Sequence, residues 1–449
     1  MGRRSDNEKA TPIGRSRLDR EPFWQYIVQS LNNRSSGRLR RALRKINPYD
    51  FQVATRSTSR EINRQIVLNL VREHQPISRA DLARRMKVGR NVISMIVNEL
   101  IAEGLIYEGA TGKTVRGRKP TFLHVRTQDR FVVAIDIRFS RTFLMLSDFG
   151  GHQLALETFD TLFAPDELVE ELIWRVRRML EAHDATANCE GIGVAVPGMV
   201  DHSTGIILNA PTLGWRDVDL RTPLAKGTAL PVYIENAPKA CALAEMWLGR
   251  NGATPNNFVF VTVSDGVGVG IVINGELVRG RDNVAGEFGH APLSLDGPRC
   301  LCGSVGCWEA YISNLATLAR YFGYDLSRLK PKKLLDDGGN DFTINDLLAR
   351  ARSGDERARA AVQGTARYLG LGLATVLNGL NPECVYIGGE IMTAWDMIEA
   401  TVRQALAERA MTERVAQTPI RVSTVGEYPR LRGAAALVTA PIFAAPRVA

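Results

Sequence analysis

Three cysteines fall within eight residues, in the order Cys300-Leu301-Cys302-Gly303-Ser304-Val305-Gly306-Cys307, and Glu287-Phe288-Gly289-His290 stands just upstream. Three thiolates and one imidazole supply a closed tetrahedron, the usual form of a structural zinc site. Gly303 and Gly306 let the backbone fold tightly enough for the sulfurs to converge. His290, Cys300, Cys302 and Cys307 are therefore the expected ligands, and structural Zn2+ is the expected cofactor. With no open coordination position, the ion holds a loop in shape and activates no water. The other cysteines, Cys189, Cys241 and Cys384, are scattered. Scattered thiols plus one tight cluster favour a reducing, cytoplasmic setting over a disulfide framework.

Charge divides the chain unevenly. Residues 1–126 hold 26 Lys and Arg against 11 Asp and Glu, a net +15, whereas residues 127–449 hold 31 against 37, a net −6. A basic N-terminal quarter on an acidic body points to a polyanionic partner for the first part. The chain has 449 residues, 45% hydrophobic and 23% charged, which suits two or three globular domains. No apolar run approaches the roughly 18–20 residues needed to span a bilayer, so no membrane partner is expected. Met1-Gly2-Arg3-Arg4-Ser5-Asp6 is not followed by the apolar stretch of a secretory signal.

Three segments emerge. Residues 1–58 are a basic extension, expected to be flexible, with helical patterning over Pro22–Leu31 and Ser36–Ile46 and a role limited to added phosphate contacts. Residues 59–126 form a compact unit of charge +7 (13 basic, 6 acidic). Ile62, Ile66, Leu70 and Val71 recur at helical spacing, Ser78 with Asp81 reads as the cap of a helix over Arg79–Met86, and Gly89 marks a tight turn. A second helix runs from Arg90 to about Glu103, with Ile93, Ile96, Val97, Leu100 and Ile101 inward and Arg90, Asn91, Ser94, Met95 and Asn98 outward. Short strands at 105–107 and 121–123 flank a Gly/Lys/Arg loop over Gly109–Pro120. From residue 127 to 449, strands at 131–136, 142–146, 191–196, 232–235, 258–263 and 268–273 alternate with helices at 168–182 and 239–248. This is an α/β body.

The middle unit reads as a winged helix-turn-helix, which places its second helix in the major groove. Arg90 suits guanine, and Asn91 or Asn98 suits adenine. Arg79 and Ser94 complete that face. Arg116, Arg118 and Lys119 in the wing suit phosphates or a narrow minor groove. Double-stranded operator DNA is the expected partner.

The segment Glu287-x-Gly-His290 followed by Cys300-x-Cys302-Gly-x-x-Gly-Cys307-x-Glu309 resembles the ROK family (repressor, open reading frame, kinase). The likeness is to its regulator branch, of the xylose and N-acetylglucosamine repressor type. Pro197-Gly198-Met199-Val200-Asp201, Asn209 to Trp215, Glu235-Asn236 and Gly388-Gly389 add to it. The resemblance implies a two-lobed actin/hexokinase-like (ribonuclease H-like) fold over 127–449, with the metal loop at 287–309. It also implies a sugar in the cleft, held by Asn209, Asn236, Glu287, His290 and Glu309. Carboxylates and an amide suit that role because each engages neighbouring hydroxyls. His290 bridges the two sites, with one ring nitrogen on zinc and the other toward the ligand.

Two departures separate this chain from the family's kinases. Their Asp-x-Gly-Gly-Thr phosphate turn is replaced by Asp136-Ile137-Arg138-Phe139-Ser140-Arg141. Their Glu-Asn-Asp-Ala, whose Asp is the general base, is replaced by Glu235-Asn236-Ala237-Pro238. Alanine cannot accept a proton. The second Gly-rich turn, Asp265 to Gly270, remains and reads as a hairpin between strands. The expectation is a non-catalytic, sugar-responsive transcriptional repressor acting as a homodimer or homotetramer on a palindromic site. Two other readings stay open at this point. One is a ROK sugar kinase with an appended DNA-binding domain; the other is a regulator whose effector is a protein.

Overall fold

A computed structural model describes residues 56–111, 120–249, 255–326, 342–423, 425–426 and 428–444. Most of the basic extension lies outside the described residues, as do Arg116, Arg118 and Lys119. Apolar residues at helical spacing build the first element, α1 (Arg56–His74), which buries Val67, Leu68 and Val71. The two-residue strand β1 (Ile77–Ser78) follows. Ser78 then starts α2 (Arg79–Met86): its hydroxyl accepts from the Asp81 N–H, and the Asp81 carboxylate accepts from the Ser78 N–H. This reciprocal cap satisfies two amide donors that the helix itself cannot. The tight turn expected at Gly89 takes its left-handed residue at Lys87 (φ 54°) instead. Gly89, at φ −63°, becomes the N-cap of α3 (Arg90–Ala102), a position glycine tolerates. Helix α3 buries Ile93, Ile96, Val97 and Leu100, as its apolar spacing requires. Strands β2 (Ile106–Thr111) and β3 (Thr121–Val125) complete a three-stranded antiparallel sheet in the order β1-β3-β2.

The body contains two five-stranded sheets built on one plan. In the first, β4 (Phe131–Ile137), β5 (Arg141–Asp148) and β6 (Gln153–Asp160) form an antiparallel meander. Helix α4 (Pro165–Ala182) leads to β7 (Cys189–Val196), parallel to β4. The small strands β8 (Met199–Val200), β9 (Ile207–Ala210) and β10 (Trp215–Val218) and helix α5 (Arg221–Thr228) precede β11 (Val232–Asn236), parallel to β7. Helix α6 (Ala237–Leu248) then leads to the second sheet. There β12 (Phe258–Val263), β13 (Val267–Ile273) and β14 (Glu276–Leu277) form the meander. Helices α7 (Asn314–Phe322), α8 (Ile344–Ser353) and α9 (Glu356–Leu380) lead to β15 (Cys384–Gly388), parallel to β12. Helix α10 (Trp395–Ala407) leads to β16 (Ile420–Val422), and α11 (Pro429–Phe443) closes the chain. The sheet orders are β11-β7-β4-β5-β6 and β14-β13-β12-β15-β16. In each, the meander lies on one side of its first strand and the two parallel strands on the other.

Parallel strands covered on both faces need continuous apolar runs, and β4, β7, β12 and β15 supply them: apart from Phe131, Cys189 and Glu190, every residue in them is buried. Helix α11 returns from the second sheet to pack on β7, β4 and α6 of the first. Its Leu431, Ala434, Ala435, Val438 and Phe443 join one apolar cluster with Val67, Leu68, Ile93, Ile96 and Leu100. Among the described residues, no helix is long and apolar enough to cross a membrane.

Leu100 is fully buried in that shared cluster. Leu100→Ala is expected to cost about 2–5 kcal/mol, read as an earlier first transition in urea. An unchanged midpoint would show that α3 does not pack there.

Candidate functional site

His290, Cys300, Cys302 and Cys307 come together with all four ligand atoms within 4.8 Å of one another. Cys302 Sγ lies 3.8 Å from Cys307 Sγ, and Cys300 Sγ lies 3.8 Å from His290 Nδ1. Thiolates placed about 2.3 Å from one centre in a tetrahedron are about 3.8 Å apart, so the residues fit a four-coordinate metal ion. The loop achieves this through its own backbone. Cys300 N–H donates to Ser304 O at 2.8 Å and Gly303 N–H donates to Cys300 O at 3.0 Å. Gly303 (φ 93°) and Gly306 (φ 73°) are both left-handed, and a Cβ on Gly306 would stand 1.7 Å from Ser294 O. Trp308, fully buried, anchors the loop: its N–H donates to Ala291 O and its indole Nε1–H to Tyr368 O on α9. Burial opposes ionisation of the Cys302 thiol. Hydrogen bonds from the Ser304 backbone and hydroxyl and from the neighbouring thiols outweigh it and bring Cys302 to about 7.

The cleft between the sheets begins at this loop. His290 turns Nδ1 toward the sulfurs, and its Nε2 is 3.9 Å from Glu287 Oε2. Burial raises the Glu287 pKa, against the pull of His290 and Lys239. Glu309 holds Val267 N–H with Oε2 at 2.8 Å, and its Oε1 lies 3.4 Å from Cys300 Sγ; it therefore orients the metal loop as well as lining the cleft. Asn236 ends β11 and donates to Gly198 O at 2.6 Å. Asn236, Ala237, Glu287, His290 and Glu309 all line the cavity. Asn209 sits in β9, paired opposite Met199 and Arg216. The wall beside it is made by Pro211 and Thr212.

The far end of the cleft is a buried charge cluster. Asp136 is fully buried at the end of β4. Arg138 Nε reaches Asp136 Oδ2 at 2.7 Å, and Nη1 reaches Glu390 Oε1 at 3.1 Å. Arg430, from the first turn of α11, places Nε 2.8 Å from Asp136 Oδ1 and donates from Nη2 to Ile137 O at 3.2 Å. Asn314 donates to the second Glu390 oxygen at 2.9 Å. Burial would discharge Arg138, but Asp136, Glu390 and Asp265 more than compensate and raise its pKa. The Asp265 pKa is raised too, by burial and by Glu390, which for a carboxyl favours the neutral form.

Residues 132–440 match the family model described as the ROK family. This chain belongs to the ROK family. The xylose repressor of Caldicellulosiruptor bescii is 28% identical over 395 residues, covering 87% of this chain and 98% of that protein. The crystal structure of a ROK family transcriptional regulator, a homolog of the E. coli MLC protein, superposes with a TM-score of 0.71 at 26% identity, covering 86% of this chain and 97% of its own. A Streptomyces griseus ROK glucokinase solved with glucose and AMPPNP gives 0.60 at 27% identity, covering 68% and 98%. The fold is thus the two-lobed actin/hexokinase-like one of the ROK proteins.

On the helical unit, Arg90, Asn91 and Asn98 are exposed and Ser94 is half-buried. Arg79 spends its guanidinium inside the unit, on Glu108 Oε1 (3.1 Å), Ser94 O (3.3 Å) and Asn98 Oδ1 (2.9 Å). Sequence reasoning missed Arg430, Glu390 and Trp308. Arg430 lies far from any recognisable pattern, whereas Glu390 directly follows the Gly388-Gly389 pair, which was the signal available for it. Trp308 stood inside the cysteine motif, and a large apolar residue beside a ligand was the signal available. Cys302→Ser is expected to reduce bound metal from one ion per chain to well below that by mass spectrometry, and to destabilise the body. Unchanged stoichiometry would sink the site.

Proposed function

We propose that this chain is a sugar-responsive transcriptional repressor that performs no phosphotransfer. The observation that carries this reading is the cleft itself. It keeps Asn236, Glu287 and Glu309 in its wall and has Ala237 where the family's kinases place their general base. Without that carboxylate the sugar hydroxyl has no proton acceptor. Likeness to a xylose repressor over nearly its whole length supports the reading.

In this proposal residues 59–126 are a winged helix-turn-helix and α3 enters the major groove. Arg90, Asn91 and Ser94 read bases, whereas Arg79 and Asn98, bonded to each other, fix the pose of α3. The wing residues Arg116, Arg118 and Lys119 contact phosphates or the minor groove, and the basic extension 1–58 adds affinity. Residues 127–449 bind the effector. The metal is structural Zn2+, which when bound cross-links the loop 287–309 and keeps the cleft wall ordered. The protein acts in the cytoplasm as a homodimer or homotetramer, matching two-fold symmetry in its operator.

Helix α11 is the route between sites. It starts at Arg430 in the cleft and ends at Phe443, whose carbonyl accepts from Asn69 of α1 at 2.8 Å. The Arg72 guanidinium of α1 lies 4.8 Å from the Trp247 ring and 4.9 Å from the Phe443 ring. Its 15 residues span about 22 Å at helical rise. A ligand that prefers one setting of the cleft shifts α1, and with it DNA affinity, by its difference in affinity for the two settings.

Fluorescence anisotropy with DNA from upstream of its own gene tests the reading. Wild type binds, and one member of a sugar panel releases it. Arg90→Ala weakens specific binding by about fivefold to 150-fold, since a base contact is worth about 1–3 kcal/mol, with metal content unchanged. Phe443→Ala keeps DNA binding and loses much of the sugar response. Sugar-dependent ADP release well above background would make the protein a kinase instead.

A further inference from the structure

The polar end of the cleft says which sugars fit, an inference that rests on the sugar reading above. Among the described residues lining the cleft, Arg138 and Arg430 are the only arginines or lysines. Neither is free for an anion. Arg138 is divided between Asp136 and Glu390, and its guanidinium carbon lies 4.7 Å from the Phe143 ring centroid. Arg430 is ion-paired with Asp136, its Nε 2.8 Å from Oδ1 but in hydrogen-bond geometry with neither that oxygen nor any other group, and it donates from Nη2 to the Ile137 carbonyl. Two guanidiniums thus face three carboxylates, Asp136, Asp265 and Glu390. The opposite end adds Glu287 and Glu309. The nearby Lys239 is turned to the Asn283 carbonyl at 2.5 Å, and Arg279 to Glu235 at 3.0 Å.

Three backbone donors at the cleft are spent as well, those of Val267, Val269 and Asn236. In the Gly-rich turn Val267 N–H goes to Glu309 and Val269 N–H to Gly286 O. Its glycines serve packing: a Cβ on Gly268 would stand 2.1 Å from Pro238 Cγ, and one on Gly270 2.5 Å from Pro238 O. Helix α6, whose N-terminus faces the cleft, has Pro238 in its first turn, which removes a donor. Asn236 N–H is held by Glu235 Oε1 at 3.0 Å. A phosphate entering here meets carboxylates at both ends of the cleft, Asp265 at one and Glu287 and Glu309 at the other.

We propose that Arg138, seconded by Arg430, is a resident cation standing where a phosphate and its metal would sit, so that the cleft selects uncharged sugars and rejects phosphorylated sugars and nucleotides. Arg138 is then a specificity-determining residue. It bridges Asp136 on the first sheet and Glu390 after β15 on the second, as a divalent ion held by the same carboxylates would.

The test uses the full chain loaded with zinc. Isothermal titration compares glucose with glucose 6-phosphate and N-acetylglucosamine with its 6-phosphate, together with xylose, ATP and Mn2+ alone. The expected result is that the uncharged member of any responding pair binds at least tenfold tighter, with no saturable binding of ATP or Mn2+. A phosphorylated member that binds as well or better overturns the proposal. The second arm needs no sugar. Arg138→Ala frees Asp136, Asp265 and Glu390, and is expected to take up one Mn2+ per chain, seen as loss of the free-ion spin-resonance signal. Arg138→Lys, which keeps a cation, is expected to take up none. A folded Arg138→Ala that still excludes Mn2+ also overturns the proposal. If no sugar binds in any form while Arg138→Ala gains Mn2+, the receptor reading fails and the resident cation stands. Should Arg138→Ala not fold, the wild-type pairs still decide.

Discussion

A carboxylate buried without solvent must be met by positive charge, and Asp136 imposes that demand on the whole body. The cost of stripping water from an ion is several kcal/mol even after relaxation. Asp136 is fully buried, and its two oxygens lie against Arg138 and Arg430. Those partners come from opposite ends of the body: one follows β4, the other begins α11. Arg138 then reaches Glu390, which Asn314 fixes in turn. One buried charge therefore ties the first sheet, the second sheet and the closing helix at a single point. Buried ion pairs of this kind contribute little net stability compared with apolar packing. Their effect is geometric, because removing Arg138 would leave Glu390 without its guanidinium partner and Asp136 with one cation in place of two.

The second constraint is the metal loop, and it acts through backbone. His290 and Cys307 are separated by a chain excursion that has to return on itself. Trp308 N–H on Ala291 O and the indole on Tyr368 O hold the two ends together and fasten them to α9. Glu309 follows at once and clamps the Val267 amide. The cysteine loop, the Gly-rich turn and the cleft wall are thus joined by these bonds. His290 presents one nitrogen to the sulfurs and the other toward Glu287.

Several parts of this arrangement were legible in the residues. The cysteine spacing with its two glycines named the residues that converge with His290, because few backbone paths bring three sulfurs to one point. Ser78 with Asp81 named a helix start, since a reciprocal cap is a local affair of four residues. The apolar spacing of Ile93, Ile96, Val97 and Leu100 named the buried face of α3. Other parts were not legible. The tight turn near Gly89 put its left-handed residue at Lys87, because the glycine was wanted as the next helix cap. Asn209, suggested by motif likeness, lies in β9 while Pro211 and Thr212 make the wall. A small strand's register, which no short motif encodes, decides which residue faces the cleft.

The sequence by itself determined the element types, the grouping of one histidine with three cysteines and the alanine at position 237, all of which follow from local spacing or from the chemistry of one side chain. Tertiary structure alone decided that Arg138, already beside Asp136 in the chain, would also reach Glu390, that Arg430 would join them, and that Phe443 would sit against α1. Those pairings join residues up to hundreds of positions apart, and the sheet order and the return of α11 across β7 and β4 bring them together. Local propensity has no reach over such distances, and buried charge tolerates no other placement once the fold has closed.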